Sequence, residues 1–322
     1  MEQSLISSIL RFHDPKRFPL LEEALHSLAQ QEWARVEAVL VLQNGTEEMK
    51  RAVQEMLGRQ PLPPSFSFQV LSVPVPEGTD GRSALLNHGL AQARGRYVAF
   101  LDDDDIVYPG AYRMLIERLR ESGCAIAVGG CQRIQIERRD GREVTVSMST
   151  PFAVHLTRYD LFRRNFIPIN SFVLDRERIA ASDLYFDESF SIHEDYEFLL
   201  RMGAKYEFDF KRLGVHLCEY RIRPESTNST LQSPETPPHL IAAYRQSLDE
   251  IEQRKERIVC NIPVSEMIVL LKQVEEQTRF LNMLASKTYR LLNRFPRLEG
   301  RLGRFTYYLR QKRNGIRRRD FA

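Results

Sequence analysis

A chain of 322 residues, 43% hydrophobic and 28% charged, is long enough for two domains or for one domain with a substantial appendage. Its net charge of +3 hides a division: between Lys287 and Asp320 twelve Lys or Arg face two acids, which leaves the preceding residues net acidic. An acidic body with a basic tail argues against nucleic acid as a partner of the body and for a localised anionic partner at the tail. Cys124, Cys131, Cys218 and Cys260 form neither a CxxC pair nor a Cys/His metal pattern, so reduced thiols are expected. The start of the chain has no basic-then-apolar leader, and no run reaches the roughly 18 apolar residues of a membrane span. A cytoplasmic protein, soluble or peripheral on the inner face of the membrane, is the expectation.

Leu5 to Leu10 reads as a first strand, and Phe18 to Gln31 as an amphipathic helix with Leu20, Leu21, Ala24, Leu25 and Leu28 at helical spacing. Val36 to Leu42 is a second strand ending in the turn cluster Gln43-Asn44-Gly45-Thr46. A helix over 47–57, a strand over 66–73 and a helix over 83–93 follow, with Gly95 read as the breaker that closes the last. Tyr97 to Leu101 is the fourth strand. Strands alternating with helices imply βα units and a mostly parallel sheet, whose ligands bind beyond the strand carboxyl ends. After residue 110 the rhythm changes. A helix over 111–121 precedes a hairpin over 126–148 that turns at Arg139-Asp140-Gly141, a short strand over 171–174, a compact helix over 194–202 and a strand over 213–220. Leu231 to Pro238 reads as a linker, which suggests domains at 1–230 and 231–322, the second all-helical.

The fourth strand ends in Asp102, Asp103, Asp104 and Asp105, then Ile106-Val107 and the Pro109-Gly110 stop. In an extended segment Asp102 and Asp104 share one side and Asp103 and Asp105 the other. Two carboxylates about 5 Å apart repel by about 3 kcal/mol at an effective dielectric near 20, a cost that a cation between them removes. Mg2+ and Mn2+ take oxygen ligands, commonly one or two carboxylates together with substrate phosphates. An EF-hand loop is excluded because Ile106-Val107 stands where its turn glycine belongs. A phosphatase of the haloacid dehalogenase type is disfavoured, because three strands precede the cluster.

Six segments in order carry a resemblance over roughly residues 4 to 223. They are Arg11-Phe12-His13; Gln43-Asn44-Gly45-Thr46; Gly81 to Gly89 followed by Ala93-Arg94-Gly95-Arg96-Tyr97; Leu101 to Asp105; Phe186-Asp187-Glu188 with Glu194-Asp195 through Arg201; and Tyr220-Arg221. The chain resembles the family 2 inverting glycosyltransferases of GT-A fold, α/β proteins with a Rossmann-like sheet, here with an α-helical C-terminal extension. The resemblance implies a nucleotide-sugar donor, expected to be a UDP-sugar, a glycan or lipid-linked acceptor, Mn2+ or Mg2+, and a place in cell-surface polysaccharide synthesis. It implies metal ligands at Asp102 and Asp104, with Asp105 as an alternate, and donor-binding residues at Arg11, Phe12, Gln43, Asn44, Arg82, Asp102, Asp103, Arg221 and Arg223. Asp195 is the expected base that takes the acceptor proton, with Glu194 beside it in a catalytic, acceptor-orienting role. Gln43 and Asn44 stand where relatives often carry acids, and Arg223 where they often carry His. A sugar-nucleotide pyrophosphorylase is the enzymatic alternative, but residues 11–17 contain no glycine for a phosphate loop. A non-catalytic glycan-binding protein is the other, disfavoured by the retention of Asp102, Asp104 and Asp195.

Ser265 to Asn293 reads as one long helix with Met267, Leu271, Val274, Leu281, Ala285 and Leu292 on a heptad-like seam. Beyond it an apolar stripe from Leu291 to Leu309 is flanked by Arg290, Arg294, Arg297, Arg301 and Arg304. Such a stripe with a basic rim suits an anionic membrane surface met through residues 287–319, or a homodimer through the C-terminal helices.

Overall fold

The computed structural model describes residues 4–150, 156–223, 238–260 and 262–294. The chain divides into a compact unit through Cys260 and a second from Asn261 onward.

In the first unit, β1 (Ile6–Phe12), β2 (Val36–Gln43), β3 (Phe66–Val73) and β4 (Tyr97–Asp102) pair in the parallel order β3-β2-β1-β4. These strands read as near-continuous apolar runs because helices cover both faces, as parallel sheets require. Alternate residues divide between two cores. Leu10, Leu40, Ala99 and Leu101 pack with α1 (Phe18–Ala29), α2 (Glu47–Gly58) and α4 (Ala111–Ser122). Ile9, Val39, Val41, Val98 and Phe100 pack on the other face with α3 (Arg82–Gln92) and α5 (Glu194–Lys205). There Phe100 meets Phe186 edge-on at 5.2 Å, and Phe186 stacks on Phe198 at 4.7 Å.

Beyond β4 the sheet continues through β8 (Phe172–Asp175), β6 (Ile126–Arg139), β9 (Phe208–Ile222) and the two-residue β5 (Ile106–Val107), with β7 (Arg142–Ser149) hairpinned onto β6. The β6–β7 turn places Asp140 at φ 50° and Gly141 at φ 76°, the paired left-handed residues of a type I′ hairpin. β4 pairs with β8 antiparallel, so the mixed half of the sheet begins beside the Asp run. β5 is not visible in the sequence pattern. It exists because Ile106 and Val107 pair with Glu219 and Cys218.

α6 (Pro238–Lys255) belongs to the first unit, which therefore extends past the expected boundary at residue 230. Ile251 on α6 is fully buried in the core that holds Phe198 and Phe186. α7 (Val264–Arg294) forms the described part of the second unit, close to the helix expected over 265–293. The expected linker over 231–237 and most of the basic stripe, residues 295–322, lie outside the described residues. Among the described residues no helix is long and apolar enough to cross a membrane.

Candidate active site

The carboxyl ends of β1, β2 and β4, the start of α3, the loop before β8 and the start of α5 enclose one cleft of about 450 Å³. Its wall includes Arg11, Gln43 and Arg82, all of Asp102 to Asp105, and Glu194 and Asp195. Residues spread over 185 positions of sequence thus meet at the edge where a parallel sheet binds ligands.

The Asp run is a turn and not an extended strand. β4 ends at Asp102, and the Asp105 amide donates to the Asp102 carbonyl at 3.2 Å. The alternation expected for an extended run therefore fails, and the four carboxylates point to three places. Asp102 accepts from Arg11 Nε at 2.9 Å. Asp103 and Asp104 share one guanidinium nitrogen of Arg17, at 2.8 and 2.7 Å. Asp105, 2% exposed, takes the Arg221 amide at 2.7 Å and the Asn170 side-chain amide at 3.1 Å.

Burial pushes Asp103 up to about 7 against the opposing charge of Arg17, and burial likewise raises Asp104 and Asp105. Asp103 Oδ2 is buried with no hydrogen-bond partner among the described residues. Three of the four carboxylates thus face two guanidinium groups, and one buried oxygen is left unpartnered among the described residues, a donor set of hard oxygens that fits a divalent cation. Asp102 and Asp104, expected to share one side, instead face Arg11 and Arg17 respectively. Asp105, with both oxygens engaged, is the least suited of the expected ligands. Among the described residues no three or more His, Cys, Asp or Glu are grouped so that they could hold a metal ion. Mg2+ or Mn2+ completed by substrate phosphates needs only one or two carboxylates.

Across the cleft α5 opens with Glu194, Asp195 and Glu197 in its first turn. Glu194 is 4% exposed and bonds Arg11 Nη1 at 2.5 Å, so Arg11 ties β4 to α5 through Asp102 and Glu194. Glu197 is buried against Arg201 and Arg254. Asp195 has weaker company, its own helix amide at Tyr196 at 2.7 Å and Asn165 Nδ2 at 3.4 Å. Burial and the neighbouring Glu194 charge push it up to about 7, which outweighs the lowering by Arg11. A carboxylate that titrates near neutrality is suited to accept a proton from an attacking hydroxyl.

The structure redistributes the expected donor-binding residues. Gln43 and Arg82 line the cleft as expected. Phe12 does not: it is fully buried and packs edge-on to Phe18 at 5.2 Å, because position 12 faces the core in β1. Asn44, at φ 50°, uses its side chain to hold the backbone of Val75 at 2.9 and 2.7 Å. Arg221 reaches Glu219 and Glu23, each at 2.7 Å. Arg223 reaches Glu143 at 2.7 Å and the Asp104 carbonyl at 2.9 Å. The Arg221 amide and the Arg223 side chain hold the carboxylate turn, and neither arginine is on the cleft wall. Arg17, Arg133, Asn165, His193 and Tyr244 are on the wall and were not singled out in the sequence. A basic Lys16-Arg17 pair just ahead of α1 was a usable signal for Arg17. Tyr244 carries none, since its approach depends on how α6 packs.

The profile of glycosyl transferase family 2 matches residues 16–177. The chain is 24% identical over 248 residues to the uncharacterised glycosyltransferase EpsJ of Bacillus subtilis, 76% of this chain and 69% of that one. It is 32% identical over 112 residues to GalNAc(5)-diNAcBac-PP-undecaprenol beta-1,3-glucosyltransferase of Campylobacter jejuni, 35% of this chain and 34% of that protein. Among solved structures, S. aureus TarS 1-349 in complex with UDP-GlcNAc superposes with a TM-score of 0.53 at 18% identity, covering 95% of this chain and 87% of that one. The matched segment holds the carboxylate turn, and the superposed fold holds the helix that carries Asp195: the chain belongs to glycosyl transferase family 2 and has the GT-A fold.

Proposed function

We propose that the protein is a metal-dependent inverting glycosyltransferase that moves a sugar from a UDP-sugar to a hydroxyl of a glycan or lipid-linked acceptor. The observation that carries this reading is the placement of two unlike acidic centres on one cleft. The carboxylate turn Asp102 to Asp105 lies at the strand ends, and Asp195 faces it from the start of α5. A UDP-GlcNAc complex of a structural neighbour and a relative named for a PP-undecaprenol substrate support the donor and acceptor classes.

Asp102 and Asp104 would hold Mn2+ or Mg2+, which when bound supplies charge neutralisation for the departing diphosphate. Arg82 and Arg133 are the cleft guanidinium groups suited to grip phosphate oxygens in a bidentate manner. Gln43, a neutral amide that both donates and accepts, stands where the base or ribose is read. Asp195 takes the proton of the acceptor hydroxyl as that oxygen attacks the anomeric carbon from the face opposite the leaving group, which inverts the centre. Arg11 holds Glu194 and, among the described residues, leaves Asp195 without an ion pair at the start of α5.

Asp104→Asn tests the donor half of this reading. Calorimetry with UDP in the presence and absence of Mn2+ should show metal-dependent affinity in the wild type and none in the variant, with the melting temperature retained. Equal metal-dependent affinity in both proteins would remove Asp104 from the metal site.

A further inference from the structure

The helix that carries Asp195 starts from an unusual residue. His193 immediately precedes α5 in the left-handed conformation, φ 63° and ψ 24°, and its own side chain does not cap the helix. A β-carbon disfavours that conformation, so it persists only where the surroundings fix it. The fixing contact comes from α6. Ser247, 7% exposed, donates its hydroxyl to the Ile192 carbonyl at 2.6 Å and lies 3.1 Å from His193 Nδ1. Serine has one hydroxyl hydrogen, which goes to the carbonyl, so Nδ1 is the donor to Ser247 Oγ. Burial keeps the imidazole neutral by lowering its pKa, which leaves Nε2 as an acceptor on the ring that lines the cleft.

One face of α6 is built for this purpose. Tyr244, Ser247, Ile251 and Arg254 follow one another at spacings of three and four, the same side of a helix. Tyr244 packs edge-on to His193 at 4.5 Å and joins the cleft wall. Arg254 binds Asp187 at 2.6 Å and Glu197 at 2.9 Å, and covers the Phe190 ring at 4.7 Å. The face therefore grips the segment from Asp187 to Glu197 at both ends, with Ser247 on the turn between. All of this lies beyond residue 177, outside the span matched by the family profile.

We propose that Ser247 is a positioning residue for glycosyl transfer: by holding the Ile192–His193 turn it sets where Asp195 stands in the cleft. The inference rests on the reading of Asp195 as the base. It requires that loss of the hydroxyl damage turnover and leave donor binding alone, because Ser247 bonds the Ile192–His193 turn and none of the residues assigned to the donor.

Ser247→Ala, Ser247→Thr and Ser247→Cys in the full chain test it by two readouts. Hydrogen exchange needs no substrate. The Glu197 amide, bonded to the His193 carbonyl at 2.9 Å, should exchange at least about tenfold faster in Ser247→Ala, while the β1 and β4 amides keep wild-type rates. For hydrolysis of UDP-GlcNAc with Mn2+, kcat should fall about tenfold with KM within about twofold, and Ser247→Thr, which keeps the hydroxyl, should retain wild-type values. Ser247→Cys keeps the volume and weakens both hydrogen bonds, and it answers the same question should the alanine variant not fold. Wild-type exchange at Glu197 in a folded Ser247→Ala or Ser247→Cys, or a kcat equal to wild type, would overturn the proposal. A wild-type protein that hydrolyses no UDP-sugar contradicts the donor assignment instead, and the exchange rates then decide the role of Ser247 by themselves.

Discussion

Asp195 concentrates the chemistry and the cost of the site in one side chain. Its pKa of about 7 lies above the ordinary 3.8, because burial and the Glu194 charge disfavour the carboxylate. The folded state therefore holds that proton more tightly than the unfolded chain. The associated stability is complete below the unfolded value and is lost as pH rises through 7. Turnover runs the other way, since a base must be deprotonated, so its acidic limb should fall near pH 7. Asp195→Asn separates the two: at pH 8 it should melt higher than the wild type, by more than about 1 kcal/mol, and the gain should vanish near pH 4. Thermal melts across that range check it, and an unchanged or lowered stability at pH 8 would contradict the assigned pKa. The type of residue at this position was legible in the sequence from Glu194-Asp195 at a helix start. Which acid remains available was not, because that depends on Arg11, far away in sequence, which pairs with Glu194 at 2.5 Å. The same holds for Arg17, whose bridge between Asp103 and Asp104 required knowing that the Asp run turns.

At the scale of elements, the strands and helices through residue 122 other than β5 follow from apolar periodicity with shifts of a residue or two at their ends, since each parallel strand is covered on both faces. Gly95 shows the limit of that reading. It was expected as a helix breaker, yet α3 ends at Gln92, and the glycine lies where the chain entering β4 runs against the chain entering its parallel neighbour β1. Its amide donates to Ser7 Oγ at 2.8 Å, and a β-carbon would lie 2.7 Å from the Ser7 nitrogen and 2.8 Å from the Leu5 carbonyl. These are backbone atoms of the chain entering β1, which do not swing aside. Gly95→Ala should therefore destabilise by about 1–3 kcal/mol, the range for overpacking. Chemical denaturation measures it, and a loss below about 0.5 kcal/mol would mean that the strands part without strain. β5 and the pairing of α6 were hidden for a different reason. Both depend on contacts with β9 and α5 that no local pattern encodes.

At the scale of the whole molecule, the two units have different surfaces. The first is closed around two cores, whereas on α7 the seam residues Met267, Leu271, Val274 and Leu281 are all exposed. We propose that the C-terminal unit meets an anionic membrane surface, with residues 287–319 as its basic part and roughly 1 kcal/mol per basic residue near the surface. Full-length protein should sediment with anionic vesicles at low salt, and a chain ending at Asn293 should not. Equal sedimentation of the two would leave the seam to self-association through the C-terminal helices. Donor affinity and turnover measured together in Asp195→Asn test whether one cleft binds a nucleotide sugar on the carboxylate turn and activates the acceptor with Asp195. Wild-type affinity for UDP-GlcNAc with Mn2+ is expected, with a loss of turnover of about 10²-fold or more. Near wild-type turnover in that variant, or a loss of donor affinity that matches the loss of rate, would contradict it.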